Sequence, residues 1–415
     1  MKKLGTLLFF LFIGLQINAQ QKKWTLQECV VYALENNISV KQSELDLETA
    51  DITKSDALGN FFPSLNASAS NSWNTGLTQD ITTGTLRTQT SRNSSYSITA
   101  GVTIFNGLRN HREMQRAKLS RLALQYNLDK MGDDIALFVA NSFLQVLFNK
   151  ANLEVIQSQN LVTLTQIDRT LTLVDAGVLP RGDLLEIKAT DASEKQRIAV
   201  AENAVKISLI SLAQLLLVQD YENFDIADEE YTIIGNEFLD KNVSEIIEAA
   251  KENRSEVKIA EKNVELAQKD LEISKSAYMP TLNGFFNYNT RESDSKRFIN
   301  ALDPDNPTIT TPIGVVESTG ETVVNTSPNV IIQELPPLAY MDQLYTNDGI
   351  SYGIQLNVPI FNGFSVRNNV KRNSINVKRS EFQLEQAKLD LESNVYQAYV
   401  DAQGAGKAYE AALSA

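Results

Sequence analysis

One cysteine, Cys29, and one histidine, His111, are spread through 415 residues. With a single cysteine no internal disulfide can form, so packing alone must hold the fold. With one of each, no His/Cys metal cluster and no histidine-based nucleophile dyad can be built. His111 follows a strand-to-helix junction and is read as a solvated or capping group. There is no phosphate-cradling glycine loop. Positive charge is also short: 38 Lys and Arg against 51 Asp and Glu leave a net charge of −13. That excludes a nucleic-acid partner, which needs a basic face to release counterions. Carboxylate pairs such as Glu229-Glu230 fall in an acidic stretch, residues 218–252, and read as a solvated face rather than an acid/base pair. The expectation is no enzyme: no catalytic residue, no cofactor, no metal.

Long apolar runs are missing too, except at the start. Lys2 and Lys3 precede an apolar run from Leu4 to Ile17, closed by Asn18-Ala19-Gln20. This reads as a secretory signal over residues 1–19 with cleavage after Ala19, since the run is short for a bilayer span. No Cys follows it to take a lipid anchor. Nothing later reads as a transmembrane helix, so the chain is periplasmic, secreted or an outer-membrane β-barrel.

The sequence is written twice. Val40-Lys41, Glu44, Ala50, Pro63 and Leu65 recur as Val257-Lys258, Glu261, Ala267, Pro280 and Leu282, an offset of 217. Tyr96, Ile98, Val102 and Ile104-Phe105-Asn106-Gly107 recur as Tyr352, Ile354, Val358 and Ile360-Phe361-Asn362-Gly363, an offset of 256. The offset grows by 39 (256 − 217) because residues 280–352 hold an insertion relative to 63–96.

Each half reads as helix, strand, loop, strand, helix. Ala260, Val264, Ala267, Leu271, Ser274 and Tyr278 form a heptad seam of small residues, weakly repeated in Ser43, Leu47, Ala50, Lys54 and Ala57. Pro63 and Pro280 stop these helices. Period-two alternation then predicts strands at about 62–74 and 94–105, and again at about 281–290 and 350–361. Leu65, Ala67, Ala69, Trp73, Tyr96, Ile98, Ala100, Val102, Tyr352, Ile354, Leu356 and Val358 share apolar faces; the opposite faces carry Ser, Thr, Asn and Gln. Strands of about ten residues with this division match a barrel with lipid outside and water inside. A half-buried sheet on a soluble core is the alternative; the signal and the repetition weigh against it. Residues 75–93 and 291–349 are read as loops, the second solvated or disordered.

Four strands cannot close a barrel, because the smallest need about eight and an open edge in lipid leaves backbone groups unpaired. Several chains must therefore share one. From Gly107 a helical pattern runs to about residue 172, about 99 Å at 1.5 Å per residue. From Gly363, Leu384, Ala387, Leu391, Val395, Ala398, Ala402 and Ala405 form another seam.

These residues resemble the TolC family of outer-membrane efflux proteins over essentially the whole mature chain. Trp24-Thr25-Leu26-Gln27-Glu28 with Ala33-Leu34-Glu35-Asn36-Asn37 looks like the family's first-helix signature, Pro63-Ser64-Leu65 follows at family spacing, and the Ile-Phe-Asn-Gly junctions match. Gly177, Asp183 and Leu184 resemble the turn of a helical hairpin. The resemblance implies an α+β membrane protein, a homotrimer in which each chain gives four strands to a shared 12-stranded barrel continued by a helical tube. It implies two repeats, 20–217 and 253–415, joined by the equatorial connector 218–252. It implies an outer-membrane exit duct for efflux or type I secretion, passively conducting what an inner-membrane pump and a periplasmic adaptor (membrane fusion protein) deliver. The hairpin tip, about 175–184, would dock the adaptor through Gly177, Val178, Leu179, Pro180, Arg181, Gly182, Asp183 and Leu184.

Two departures stand out. Pro180 replaces the family's frequent capping Ser, leaving a proline in the first helical turn and a shifted cap from Asp183 with Glu186 as the expectation. And Ala415 maps back to residue 159 (415 − 256), whereas the first half continues to about 217, so roughly 58 residues of the second hairpin are expected to be missing. The tip also reads as a plain helix–helix turn, Gly177 the C-cap and Pro180 the starter, although exposed Val178 and Leu179 favour a partner. A periplasmic coiled-coil adaptor is the second reading, against which the four strands count. A secreted adhesive coiled coil is the third.

Overall fold

The computed structural model describes residues 23–79, 84–228 and 242–414. The signal segment 1–19 and residues 229–241 of the acidic connector, Glu229-Glu230 among them, lie outside these residues. The chain divides into two compact units.

The first unit is helical and takes in residues up to Ser55, Met114–Leu271 and from Lys371 on. It opens with β1 (Lys23–Trp24) and α1 (Leu26–Asn36). Thr25 caps α1 with a reciprocal box: its hydroxyl accepts from the Glu28 N–H at 3.2 Å and the Glu28 carboxylate accepts from the Thr25 N–H at 3.1 Å. Two otherwise orphaned helix-end groups are satisfied at once. Then come α2 (Ile38–Gly59), α3 (Arg109–Asp175), α4 (Arg181–Leu215), β4 (Asp225–Ile226), α5 (Val243–Asn253), α6 (Ser255–Ser276) and α8 (Ser365–Ser414); α7 (Tyr340–Thr346) belongs to the other unit. β1 pairs in parallel with β4.

The core lies where these segments meet. Ile135, Val139, Phe143 and Val146 of α3, spaced by fours and a three, face Cys29 and Ala33 of α1, Leu212 and Ala213 of α4, and Leu216, Phe224 and Ile226 beyond it. Each large side chain buried there contributes on the order of 1.5–3 kcal/mol, and Cys29 packs as a small hydrophobe. Two helices, α3 and α4, do hold windows long and apolar enough to cross a bilayer, contrary to the sequence expectation. Val139, Phe143 and Val146 of α3 and Leu212 and Ala213 of α4 meet in this core, but only 22% of each apolar window is buried, and Leu137, Phe138, Leu144 and Phe148 of α3 stay exposed. On α8 the seam is covered from Leu384 through Val395 and exposed at Ala398, Ala402 and Ala405.

The second unit holds residues 56–113 and 272–370. Its centre is a four-stranded sheet of β2 (Ser64–Gln79), β3 (Leu86–Asn106), β5 (Thr281–Ser293) and β10 (Gly349–Asn357), ordered β10-β5-β3-β2 and antiparallel throughout. The strands depart from the sequence reading. β2 and β3 run on as a ladder to Gln79↔Leu86, so residues 75–79 and 86–93 are strand, not loop. Leu77 and Leu86 aside, their side chains are polar or absent on both faces, which erases the period-two signal. The 291–349 segment is no featureless loop: β6 (Arg297–Leu302) pairs with β9 (Val330–Leu335), β7 (Thr308–Val315) with β8 (Thr322–Pro328), and α7 (Tyr340–Thr346) follows. Runs of β-branched residues, Val323-Val324 and Val330-Ile331-Ile332, carry those strands. β10 ends at Asn357, before Pro359, which cannot donate to a ladder.

Candidate functional site

The sheet has two chemically different faces. On one, Leu65, Ala67, Ala69 and Trp73 stand beside Tyr96, Ile98, Ala100 and Val102, then Leu282, Phe286 and Tyr288, then Tyr352, Ile354 and Leu356. These side chains are uncovered: Leu65 is 72% exposed, Trp73 65%, Tyr352 79% and Ile354 68%. The other face carries hydroxyls and amides, and Ser68 with Ser97 and Ser70 with Ser95 bond across the strands at 2.7 Å. Phe285 is the apolar exception there, its ring 3.1 Å from where a Cβ on Gly353 would stand. β2 and β10 are the two edges of this sheet.

The apolar face ends in a polar cluster. Beyond Tyr96 on the same side come Ser94 and Arg92, and beyond Tyr288 come Thr290 and Glu292. The Glu292 carboxylate is buried and accepts from Arg92 Nη2 at 2.6 Å and Ser94 Oγ at 3.0 Å. α7 covers this region: Tyr340 bonds Tyr96 hydroxyl to hydroxyl at 2.5 Å, Gln343 Oε1 accepts from the Ser293 N–H, and Thr290 Oγ1 donates to the Leu344 carbonyl. A buried carboxylate so supplied with donors is a charge satisfied rather than stranded.

At the opposite end each repeat turns from strand to helix through two consecutive left-handed residues, Gly107-Leu108 and Gly363-Phe364, all with φ between 61° and 66°. At the first joint, Asn106 Nδ2 donates to Asn110 Oδ1 at 2.6 Å and Asn110 Nδ2 to the Asn60 carbonyl at 2.7 Å. Arg112 Nη1 reaches the carbonyls of Gly107 and Glu272 and the Ser276 hydroxyl, holding the end of α6. Gly107 has no alternative here: a Cβ would sit 2.6 Å from Met279 Cβ and 2.7 Å from the Ser276 carbonyl oxygen. The sequence pattern located the joint but missed Arg112 and Asn110, whose partners lie far away in the chain.

The structure gathers Gly177 through Leu184 at the α3–α4 turn. Gly177, φ +74°, ends α3: its N–H bonds to the Val174 carbonyl and the Val178 N–H to the Leu173 carbonyl, the Schellman pattern. Val178 is 67% exposed, Leu179 half-buried and Leu184 buried. Pro180 is the N-cap, not the first helical residue, and gives no side-chain cap. The expected Asp183–Glu186 cap is corrected accordingly: Asp183 already lies in the first turn, its N–H bonded to the Pro180 carbonyl. There its carboxylate suits the positive end of the helix.

Further along the hairpin, the buried Glu194 accepts from Asn160 Nδ2 and Thr163 Oγ1, each at 3.0 Å. At the core's edge Lys150 Nζ lies 2.5 Å from Asp225. Burial disfavours the Asp225 carboxylate, but the bonds from Lys150 and the Ile226 N–H prevail and hold its pKa below the usual value. Among the described residues no group of His, Cys, Asp or Glu is arranged to hold a metal.

A family model described as outer membrane efflux protein matches residues 30–216 and 246–414. No curated protein matches the chain. Solved structures do: VceC from Vibrio cholerae (13% identity, 91% of this chain and 79% of that one, TM-score 0.67), the Campylobacter jejuni CmeC outer membrane channel (13%, 93% and 74%, 0.65) and the Neisseria gonorrhoeae MtrE outer membrane channel (16%, 93% and 75%, 0.62). At such identities the likeness is one of fold. The family match goes further and does not favour the adaptor reading. The chain belongs to the outer membrane efflux protein family, the TolC-like channels: it is an efflux channel and not an enzyme, placed in the outer membrane with its helical part in the periplasm.

Proposed function

We propose that three copies of this chain close one 12-stranded barrel, each giving β2, β3, β5 and β10, and that the barrel continues into a periplasmic helical tube through which substrates pass without chemical change. The observation that carries this reading is the four-stranded sheet with an uncovered apolar face and two free edges. Such edges in lipid would leave backbone groups unpaired at several kcal/mol each, and joining copies removes them. The Gly177–Leu184 tip docks a periplasmic adaptor that links the duct to an inner-membrane pump, in an efflux or type I secretion system. Support comes from Val178, an exposed apolar side chain at the point of a turn whose backbone groups are already satisfied. The test is native mass measurement of the detergent-extracted outer-membrane protein with conductance in planar bilayers. A trimer that conducts ions is expected; a water-soluble monomer overturns the reading. For the tip, Val178→Asp is expected to abolish cross-linking to the adaptor and export while leaving the trimer mass unchanged.

A further inference from the structure

The internal repeat fixes how one copy meets the next, strand residue by strand residue. In the β2–β3 hairpin the numbers of paired residues add to 165, and in the β5–β10 hairpin to 638. The difference, 473, is the sum of the two sequence offsets, 217 and 256. The two hairpins are therefore in the same register, although nothing in the pairing of one constrains the other. Between the repeats, β3 pairs with β5 with numbers that add to 386 as far as Thr103. β3 is the second strand of repeat one and β5 the first of repeat two. The corresponding pair, the second strand of repeat two with the first strand of repeat one, is β10 with β2, and these lie at opposite edges of the sheet.

We propose that the β10 edge of one copy pairs antiparallel with the β2 edge of a second copy with numbers that add to 425 (386 + 256 − 217), from Gly349 opposite Gly76 to Asn357 opposite Ser68. This rests on the shared-barrel reading above and specifies its seam. The chemistry of both faces agrees with this register. Tyr352 falls opposite Trp73 and Leu356 opposite Ala69 on the apolar face, Ser351 opposite Asn74 and Gln355 opposite Ser70 on the polar one. A shift of one residue would set each apolar side chain against the polar face.

The joints give a second sign. Gly107 is filled by Ser276 and Met279, whereas Gly363, with the same left-handed backbone, has nothing within 4 Å. Carrying Ser276 and Met279 back by 217 gives Gly59 and Phe62. The second copy's Gly59–Phe62 turn is the occupant of the space at Gly363, beside the end of the same seam.

Disulfide trapping in the full chain tests the register. S70C/Q355C and S68C/N357C place two cysteines opposite each other across the seam; S70C/N357C and S68C/Q355C are off by two, a separation of about 7–8 Å that a disulfide does not span. Within one chain these positions are three strands apart, about 14 Å, so no internal link forms. Buried Cys29 is common to all variants. The expected result is a covalent three-chain species on denaturing gels from the two in-register variants, several-fold stronger than from the others. Stronger linking off register, or none in protein of trimer mass, overturns the register and leaves the shared barrel standing. A monomer mass for the unsubstituted protein overturns both.

Discussion

Gly107 and Gly177 share a left-handed backbone but not their surroundings, and the difference separates strain from crowding. Gly177 faces open space, so Gly177→Ala should cost only the conformational term, about 1–2 kcal/mol. Gly107→Ala meets the same strain plus overlap with Met279 and a backbone carbonyl, adding about 1–3 kcal/mol. Thermal unfolding in detergent should rank them in that order. Asp225 offers a second residue-level prediction. Its pKa is lowered in the folded chain, so its contribution is full above the unfolded value of about 4 and is lost as pH falls through the lower folded value. Unfolding midpoints measured from pH 7 to pH 3 should drop less steeply below pH 4 in Asp225→Asn than in the native chain. Neither Asp225 nor its partner Lys150, 75 positions away, was legible in the sequence, because ion pairs leave no periodic trace.

Among the elements, the α3–α4 hairpin owes its alignment to more than its apolar seam. Glu194 sits buried between Asn160 and Thr163, a polar group that fixes which turns of the two helices face each other. Glu194→Ala leaves the Thr163 hydroxyl without this acceptor and should cost about 1–3 kcal/mol in urea unfolding, whereas Glu194→Gln, which keeps one acceptor oxygen, should cost less. Helix and strand boundaries were legible where physics marks them locally. Pro63, Pro280 and the Asn-Gly joints sit within a residue or two of the observed element ends. What escaped were elements whose stability comes from pairing alone. The β2–β3 extension is held by its ladder and by contacts such as the 2.8 Å Thr75–Thr90 hydroxyl bond. The β6–β9 and β7–β8 sheets were hidden because Asn, Pro and Thr around their short apolar runs imitate solvated loop.

At the scale of the molecule, the repeat is what the sequence states most clearly, and it carries more than symmetry. Moving from β2 across β3 to β5 advances the pairing by four residues once the 217 offset is removed (386 − 165 − 217 = 4). Because four is even, every step round a closed ring keeps apolar side chains on one face. In the proposed barrel the division between lipid and water is thus preserved however many repeats follow. Leu356 and Gln355 are neighbours on β10 that face opposite sides and put this to the test. In the proposed barrel Leu356→Arg places a charge on the lipid face one residue from the end of β10, a cost per copy between about 0–1 kcal/mol at the interface and about 2–4 at the midplane, and should deplete the trimer from the outer-membrane fraction. In the proposed barrel Gln355→Arg faces the water-filled interior, so the trimer should remain and its conductance should shift toward anions. Loss of both variants from the membrane to the same extent would mean that protein, not water, lies against the polar face.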